Sequence, residues 1–382
     1  MKTIHHTLLM IVTVIALTGI YTSCTKDSPP NNGDPRIRYV RITAPESSDS
    51  LLVGAGQGRL IAIMGDNLED AVEIWFNDQQ ALLTPTYITS TSILVTVPSQ
   101  IPLDVTNVLK IIFSNGNVLL HEFVVQISKP TVNSMLSEFV NEGDLAVIRG
   151  DYFYAPVSVM FTGGIPGEIV SIKDQEVQVR VPAGAQPGPV TVKTNFGETR
   201  SNFWFRDNRN LFISGDPHEG WWGTYLVTTP GTDDPPKISG NYYRMKKAVK
   251  AWVWDAPEVA GGPASSMAVH SKNVPNAAIL KPEDYNLKFE INTLKPYNSN
   301  RIGINVALNA EDNNAYAWNP PYDSKKQWNT IVIPFEEVVK SYAVKPVINP
   351  NGYWSRILVF GPGDLDADIC FDSFRVVPKI SQ

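Results

Sequence analysis

The chain has 382 residues, of which 43% are hydrophobic and 18% are charged, enough for roughly two to four globular domains with full cores. Its formal net charge of -6 excludes nucleic acid and anionic membrane surfaces as main partners. The five histidines are too scattered to predict a metal site, and no cofactor is expected. Prolines and glycines are spread along the whole chain, as is typical of many short strands joined by turns.

The amino terminus has the pattern of an export signal. A basic start is followed by an apolar run from about Thr7 to Ile20 and by small residues before Cys24. The run is too short for a transmembrane helix and predicts a secretory signal over residues 1–23. The cysteine resembles that of a bacterial lipobox, so Cys24 is the expected lipidation site, although "YTSC" lacks the usual leucine. The alternative is an unpaired cysteine in a discarded leader.

Residues 24–35 are polar and rich in Pro, Asn and Gly, which predicts a flexible tether. The "TKD" after Cys24 resembles the charged signal that sends Bacteroidetes lipoproteins to the outer face of the outer membrane. That resemblance implies a lipid-anchored protein facing the cell exterior. If Cys24 is acylated, only Cys370 remains, and its place in an apparent strand predicts a small core residue.

Two segments of the first half repeat each other. "GRLIAIMGDNLEDAVEIWF" from Gly58 aligns with "GDLAVIRGDYFYAPVSVMF" from Gly143, and "VTVP" near Pro98 aligns with "VRVP" near Pro182. A strand-only repeat of this length predicts two immunoglobulin-like β-sandwiches. They resemble IPT/TIG domains, with boundaries at 36–128 and 129–206, and are expected to form a stalk. Trp75 and Trp204 are each single within apolar strands and are predicted to lie in the cores.

After residue 206 the composition changes, since seven of the nine tryptophans follow it. Short strand-like runs still dominate residues 207–382, which predicts a third β-sandwich or jelly roll and makes the fold all-β throughout. One helix is expected at "FEEVVKSY", where two glutamates suit the first turn and a lysine a later one.

The stretch "MKKAVKAWVWDAP" places Trp252 and Trp254 two residues apart. If it is one strand, both tryptophans share a face with Lys246 and Lys250, and the opposite face, with Val253, is the better core. Two readings remain open, a filled core or an exposed aromatic platform, and the lysines favour the platform. Two other strands alternate apolar residues with small, amide or charged ones, and those polar faces are expected to bind sugar. Their polar positions are Lys288, Glu290, Asn292, Gly303 and Asn305.

The remaining tryptophans are sorted by local pattern. At most one of the adjacent Trp221 and Trp222 should face a ligand, and Trp222 is favoured. Trp318 lies in the Pro-rich stretch "AYAWNPPYD" and is a candidate for the rim of a site. Trp328 is predicted to be in the core, and Trp354 is undecided.

Two late strands, "QWNTIVIPFEEV" and "ADICFDSFRVV", resemble those of carbohydrate-binding jelly rolls. The order of lipobox, tether, tandem IPT/TIG-like domains and tryptophan-rich sandwich resembles the surface glycan-binding protein B family of Bacteroidetes polysaccharide utilisation loci. That resemblance implies a non-catalytic lipoprotein that captures a plant β-glucan such as xyloglucan beside a SusC/SusD-like transporter. It places the stacking platform at Trp221, Trp222, Trp252 and Trp254.

Two other functions stay open. A glycoside hydrolase needs two facing carboxyl groups, and the sandwich has several candidates without a pairing motif: Asp216, Glu219, Glu283, Asp284, Glu290, Glu311 and Asp312. A protein-binding adhesin would use the tryptophans as interface hot spots. Four aspartates in "GDLDADICFD" suggest either a structural Ca²⁺ or a solvated acidic turn, and the turn is preferred because the spacing is not that of an EF-hand.

Overall fold

The computed structural model describes residues 33–44, 49–228, 235–309 and 314–379. The predicted signal peptide, Cys24 and most of the tether therefore lie outside the described residues. The chain divides into two compact units, Met1–Ile127 and Ser128–Gln382. None of the helices in the described ranges has the length and apolar character needed to cross a membrane.

The first unit is a β-sandwich. One sheet has the order β1-β3-β6, the other has the order β5-β4-β7-β8, and β2 pairs in parallel with β9. Alternating apolar residues of the two sheets meet in one core that includes Ile63, Ile74 and Ile111. The elements are β1 Arg36–Ile42, β2 Gly54–Gly56, β3 Leu60–Asp66, β4 Ala71–Phe76, β5 Gln79–Ala81, a 3₁₀ turn Pro85–Tyr87, β6 Ser92–Thr96, β7 Val108–Phe113, β8 Val118–Glu122 and β9 Val124–Gln126.

The second unit begins with another sandwich, made of the sheets β10-β11-β15-β14 and β13-β12-β16-β17. Its core includes Ile148, Val179 and Phe205. The elements are β10 Thr131–Met135, β11 Leu145–Asp151, β12 Ser158–Thr162, β13 Ile165–Pro166, β14 Glu168–Lys173, β15 Glu176–Arg180, β16 Gln186–Thr194 and β17 Gly197–Phe205.

The predicted repeat agrees with the structure at its central strands, since β3 and β11 are both seven residues long and each pairs with the first strand of its domain. Its Gly-Asp motif has a steric cause. A Cβ at Gly65 would overlap the carbonyl oxygen of Arg36, and one at Gly150 would overlap that of Thr131. Both glycines therefore permit a close approach of the neighbouring strand, next to a β-bulge in each domain.

The carboxyl-terminal sandwich follows in the same compact unit. We call the sheet of order β19-β20-β27-β22-β25, with β18 paired to β27, the junction sheet, and the sheet of order β21-β26-β23-β24 the outer sheet. The strands are β18 Leu211–Ile213, β19 Val227–Thr228, β20 Tyr242–Val249, β21 Glu258–Gly261, β22 Tyr285–Thr293, β23 Ile302–Leu308, β24 Tyr316–Trp318, β25 Asn329–Pro334, β26 Trp354–Val359 and β27 Leu365–Pro378. The helices are α1 Asn276–Leu280 and α2 Phe335–Ser341, with 3₁₀ turns at Thr224–Leu226, Ser266–Ala268, His270–Lys272 and Pro282–Asp284.

The main core lies between these two sheets and includes Phe289, Ile304 and Ile357. The all-β prediction is confirmed, and so is the short helix, in which Lys340 pairs with Glu336 at 2.6 Å. The boundary between residues 206 and 207 stays a prediction, because both neighbouring sandwiches lie in one compact unit.

The polar face of β22 does not meet solvent as expected. It packs against the loop that follows β10 of the second Ig-like domain, where Lys288 contacts Glu138 at 2.5 Å. Arg375 of β27 contacts Glu138 at 2.6 Å and Glu290 at 3.0 Å. The expectation that this face lies open to solvent for sugar binding is therefore wrong for Lys288 and Glu290, which pair with buried charged groups instead. Alternation identified the face correctly, but it could not show that a second domain covers it.

Candidate functional site

Trp252 and Trp254 do not lie on a strand. β20 ends at Val249, and residues 250–257 form a loop. Lys250 pairs with Asp364 at 2.6 Å, the Ala251 N–H donates to the same carboxylate at 2.9 Å, and Trp252 adopts a left-handed backbone with φ of 55°. The strand interpretation is wrong because Asp364 turns the chain, and Val253 is 47% exposed rather than buried.

The two indoles are nevertheless exposed, Trp252 at 56% and Trp254 at 67%. Both stand edge-on against one ring, Phe360, at centroid distances of 5.3 and 5.1 Å. The guanidinium of Arg301 lies 5.7 Å from the centre of the Trp252 ring. The backbone N–H of Trp252 donates a hydrogen bond to the Gly361 carbonyl at 2.9 Å. Phe360 thus fixes two large, open aromatic surfaces beside each other. We call Trp252 and Trp254 the tryptophan pair, and Phe360 is the ring on which both of them rest.

The tryptophan pair borders the outward face of the outer sheet. Since Ile304 of β23 and Ile357 of β26 point into the core, Asn305 and Arg356 point outward. The Asn305 side chain is fixed in place because its Nδ2–H donates a hydrogen bond to the backbone carbonyl of Asn314. The Arg356 guanidinium lies 3.6 Å from the Glu258 carboxylate. This face therefore presents an ion pair between its aromatic ends, whereas the Asn305 amide beneath it is almost fully buried.

A second aromatic group lies at the other end of β26. The rings of Trp221 and Trp354 meet at right angles with their centroids 6.0 Å apart. With Asn305 and Arg356 they line a small cleft on the outward face. Sequence reasoning left Trp354 undecided, although its even spacing from Arg356 and Phe360 along one strand predicts a shared face.

Trp222 is also exposed, at 50%, but its position differs. Its backbone exchanges hydrogen bonds with Ala260 at 3.3 and 3.1 Å, so it extends the outer sheet beyond β21. Its ring contacts Tyr225, away from the cleft. The geometry thus favours Trp221 over Trp222 at the outward face, and the role of either in binding stays a prediction.

Trp318 does not form an open rim. It lies on β24, stacks on Tyr297 at 5.4 Å with an interplanar angle of 25°, and meets the core residue Phe289 edge-on. Its ring is half-buried and packs against the main core. The sequence missed this because the Pro-rich loop begins only after the strand has ended.

The other tryptophans divide differently from the predictions. Trp75 and Trp204 are half-exposed rather than core residues, and each carries a cation over its ring, Lys110 at 5.0 Å and Arg209 at 3.7 Å. Trp328 is buried as predicted, in a small cluster with Cys370. Burial raises the pKa of the Cys370 thiol to about 12, which disfavours the reactive thiolate form at neutral pH.

The acidic stretch near the carboxyl end is divided among separate partners. Asp364 pairs with Lys250, Asp366 with Lys295 at 2.5 Å, and Asp368 with Arg244 at 2.9 Å. Within the described ranges no group of His, Cys, Asp or Glu side chains is arranged to hold a metal ion.

Among the hydrolase candidates, Glu290 belongs to the buried ion cluster and Glu219 lies 3.2 Å from His270. Glu311 and Asp312 lie outside the described residues.

Comparisons with known proteins agree with this architecture. The family model described as surface glycan-binding protein B xyloglucan binding domain matches residues 205–378, and the IPT/TIG domain model matches residues 52–126. A surface glycan-binding protein from Prevotella bryantii has a similar crystal structure, with a TM-score of 0.66 and 22% identity over 91% of this chain and 100% of that chain. A structure with a xylogluco-oligosaccharide matches with a TM-score of 0.52 and 16% identity over the same shares.

An IPT/TIG domain-containing protein of Bacteroides ovatus is 26% identical over 168 residues, which is 41% of this chain and 34% of that protein. The chain thus spans about a third of the length of this curated relative. At these identities the solved structures show only the fold. The family models show which known domains the two matched segments resemble. The carboxyl-terminal part of the chain is thus similar to surface glycan-binding protein B xyloglucan binding domains, and an earlier segment is similar to an IPT/TIG domain.

Proposed function

We propose that this protein is a non-catalytic lipoprotein of the outer cell surface that captures a plant β-glucan by aromatic stacking. The ligand is of the xyloglucan or mixed-linkage type, and it is passed to a SusC/SusD-like transporter for uptake. The observation that carries the proposal is the tryptophan pair, two exposed indoles on one phenyl base, at the edge of a sheet in a domain that resembles this family.

The chemistry of the outward face supports a sugar ligand. Pyranose rings present apolar C–H faces that pack on indole, and their hydroxyls bond to amides and charged groups. Trp252 and Trp254 supply the first kind of contact, and Arg356 with its partner Glu258 supplies the second. A large exposed aromatic patch is otherwise costly for solubility, which supports a binding role.

The size of the face supports a polymer rather than a single sugar. From Trp354 to Phe360 the strand runs about 20 Å, so one extended glycan can contact the tryptophan pair and reach Trp221. Covering roughly 100 Å² of apolar surface per stacked sugar contributes about 2.5 kcal/mol before ordering costs. Millimolar binding needs about 4 kcal/mol, so two or three platforms give micromolar to millimolar affinity.

The amino-terminal pattern supports the surface location. An apolar signal ending at Cys24, followed by a polar tether, is the arrangement that a lipid anchor requires. Labelling cells with a membrane-impermeant reagent, for the native chain and for Cys24→Ser, tests this part of the proposal, because the variant should be released from the membrane.

Isothermal titration calorimetry of the mature protein against a panel of soluble β-glucans and unrelated polysaccharides tests the function. We expect binding to xyloglucan or mixed-linkage β-glucan and none to α-glucans or to charged polysaccharides. A parallel assay for new reducing ends should show none. Release of reducing ends would indicate a hydrolase, and absence of binding across the panel would favour a protein-binding adhesin.

A further inference from the structure

A cleft of about 520 Å³ lies between the second Ig-like domain and the junction sheet, away from the outward face described above. Both domains belong to one compact unit, so the cleft is a built feature of the fold. The Ig-like domain contributes Leu145, Arg149 and Gln178, and the carboxyl-terminal sandwich contributes Ile238, Asn292 and Trp328. Its volume is in the range typical of pockets for small ligands.

The contacts around the cleft keep it open and fixed in shape. The Trp328 indole N–H donates to the Pro236 carbonyl at 2.8 Å, which holds the ring in one orientation. The Asn141 amide donates to the Lys237 carbonyl at 2.7 Å and so ties the Ig-like loop to the opposite wall. The cleft is therefore preorganised rather than a gap between loosely packed parts.

Asn292 is the unusual residue of this cleft. Its side chain is fully buried, yet neither its Oδ1 nor its Nδ2 has a hydrogen-bond partner among the residues that the structure describes. The other two polar residues on this face of β22 are satisfied, Lys288 by Glu138 and Glu290 by Arg375 and Thr330. Buried amides are almost always paired, because an unpaired one costs folding free energy. A ligand hydroxyl that reaches this side chain from the cavity would supply the hydrogen bonds that the amide lacks.

The surroundings define which ligand fits. Asn292 lies opposite the buried, neutral Cys370 on β27 and beside apolar Trp328, whereas the charged residues of the same wall, Lys237 and Lys326, are exposed. At the rim, Arg149 lies 3.9 Å from Glu176, which gives donors and acceptors close together. A primary amide presents one donor group and one acceptor side by side, the arrangement that two neighbouring hydroxyls match. These features suit a neutral, hydroxyl-rich ring compound.

We propose that this cleft is a second saccharide site, in which Asn292 binds neighbouring hydroxyls of a neutral sugar unit. The choice of a sugar rests on the proposed function, whereas the cleft and its unpaired amide do not. The site is separate from the tryptophan pair, and it enables the protein to hold a chain end or a side branch at the Ig-like domain while the outward face holds the main chain.

The test uses the mature full-length protein with Trp252→Ala/Trp254→Ala/Trp221→Ala, so that both aromatic groups of the outward face are removed from binding. Saturation-transfer NMR and calorimetry are run with glucose, xylose, galactose and cellobiose. We expect residual millimolar binding of at least one of these sugars, weakened at least tenfold by adding Asn292→Leu. Because leucine keeps the volume and removes an unpaired amide, Asn292→Leu should also melt at the same temperature or higher without ligand.

A second variant, Leu145→Trp, fills the cleft from the exposed surface of the Ig-like domain and should abolish the same binding without disturbing the core. Leu82→Trp, at an exposed position of the first unit, is its control and should bind normally. Absence of residual binding, or residual binding that both cleft variants retain, would overturn the proposal. If the tryptophan double variant binds polysaccharide as well as the native protein, the proposed function fails, and the cleft is still judged by Asn292→Leu alone.

Discussion

At the scale of single residues, the tryptophan pair shows how an exposed aromatic surface is held in place. The Phe360 ring contacts both indoles edge-on, and the Arg301 guanidinium lies against Trp252. The two indoles are therefore held in place without a ligand. Rigid side chains lose less conformational entropy on binding, which raises affinity without new contacts. The sequence predicted the exposure of Trp252 and Trp254, but it did not identify Phe360, which directly follows β26 about one hundred residues later.

Changing Trp252 and Trp254 together to Ala should weaken β-glucan binding at least tenfold while the protein remains folded. The rings are exposed, so the melting temperature should change little, as for most surface substitutions. Affinity electrophoresis and circular dichroism measure the two effects. Trp75→Ala, at a half-exposed tryptophan of the first unit, is the matched control and should keep full binding. Normal retardation of the double variant would contradict the assignment.

At the scale of elements, the loop 250–257 owes its shape to Asp364, which comes from the turn before β27. This carboxylate accepts a hydrogen bond from Lys250 and one from the Ala251 N–H. The loop holds Trp252 in a left-handed backbone conformation that a tryptophan seldom adopts. Local propensity predicted a continuing strand here, and the long-range contact overrode it. The repeated Ig-like strands were predictable because their pattern depends on neighbours within the same domain.

Asp364→Ala should therefore lower glycan affinity several-fold although every aromatic residue is still present. The loop loses the hydrogen bonds that Asp364 accepts from it. Both indoles must then be ordered when the glycan binds, and the entropy that they lose weakens the affinity. The control is Asp366→Ala, which removes a carboxylate two residues away whose partner, Lys295, lies outside the loop. Calorimetry of the two variants makes the comparison, and equal affinities would show that Asp364 has no part in positioning the loop.

The same carboxylate sets the pH range of binding. The hydrogen bond from Lys250 holds the pKa of Asp364 below its ordinary value of 3.8. A carboxyl group with a depressed folded pKa contributes fully above its unfolded pKa, and its contribution is lost as the pH falls through the folded value. Affinity should stay constant between about pH 5 and pH 8 and decline only in stronger acid. A decline near pH 6 in a titration series would instead implicate a histidine.

At the scale of the whole molecule, a buried ion cluster joins the second Ig-like domain to the carboxyl-terminal sandwich. Glu138 lies between Lys288 and Arg375, and all three side chains are almost fully buried. The Leu136 carbonyl and the Glu138 N–H both bond to Thr330 of β25, so the backbone takes part as well. The sequence showed these polar residues on one strand face, but only the fold shows what they meet.

Glu138→Ala should destabilise the second unit by about 3–5 kcal/mol, because it leaves two buried cations without their shared carboxylate. Chemical denaturation followed by tryptophan fluorescence measures the change. Glu168→Ala removes an exposed carboxylate that pairs with Arg180 at 3.1 Å, and it should cost less than about 1 kcal/mol. If both variants unfold at the same denaturant concentration, the cluster contributes nothing to the cohesion of the unit.

This cluster also determines which part of the chain has to stay together for the buried charges to remain paired. The recognisable glycan-binding module begins near residue 205, but Glu138, which neutralises its buried cations, lies in the module before it. A recombination event that transferred only residues 205–378 to a new gene would deliver a sandwich with Lys288 and Arg375 uncovered. The stretch from residue 128 onward contains every member of the cluster, so the unit that keeps these charges paired is longer than residues 205–378.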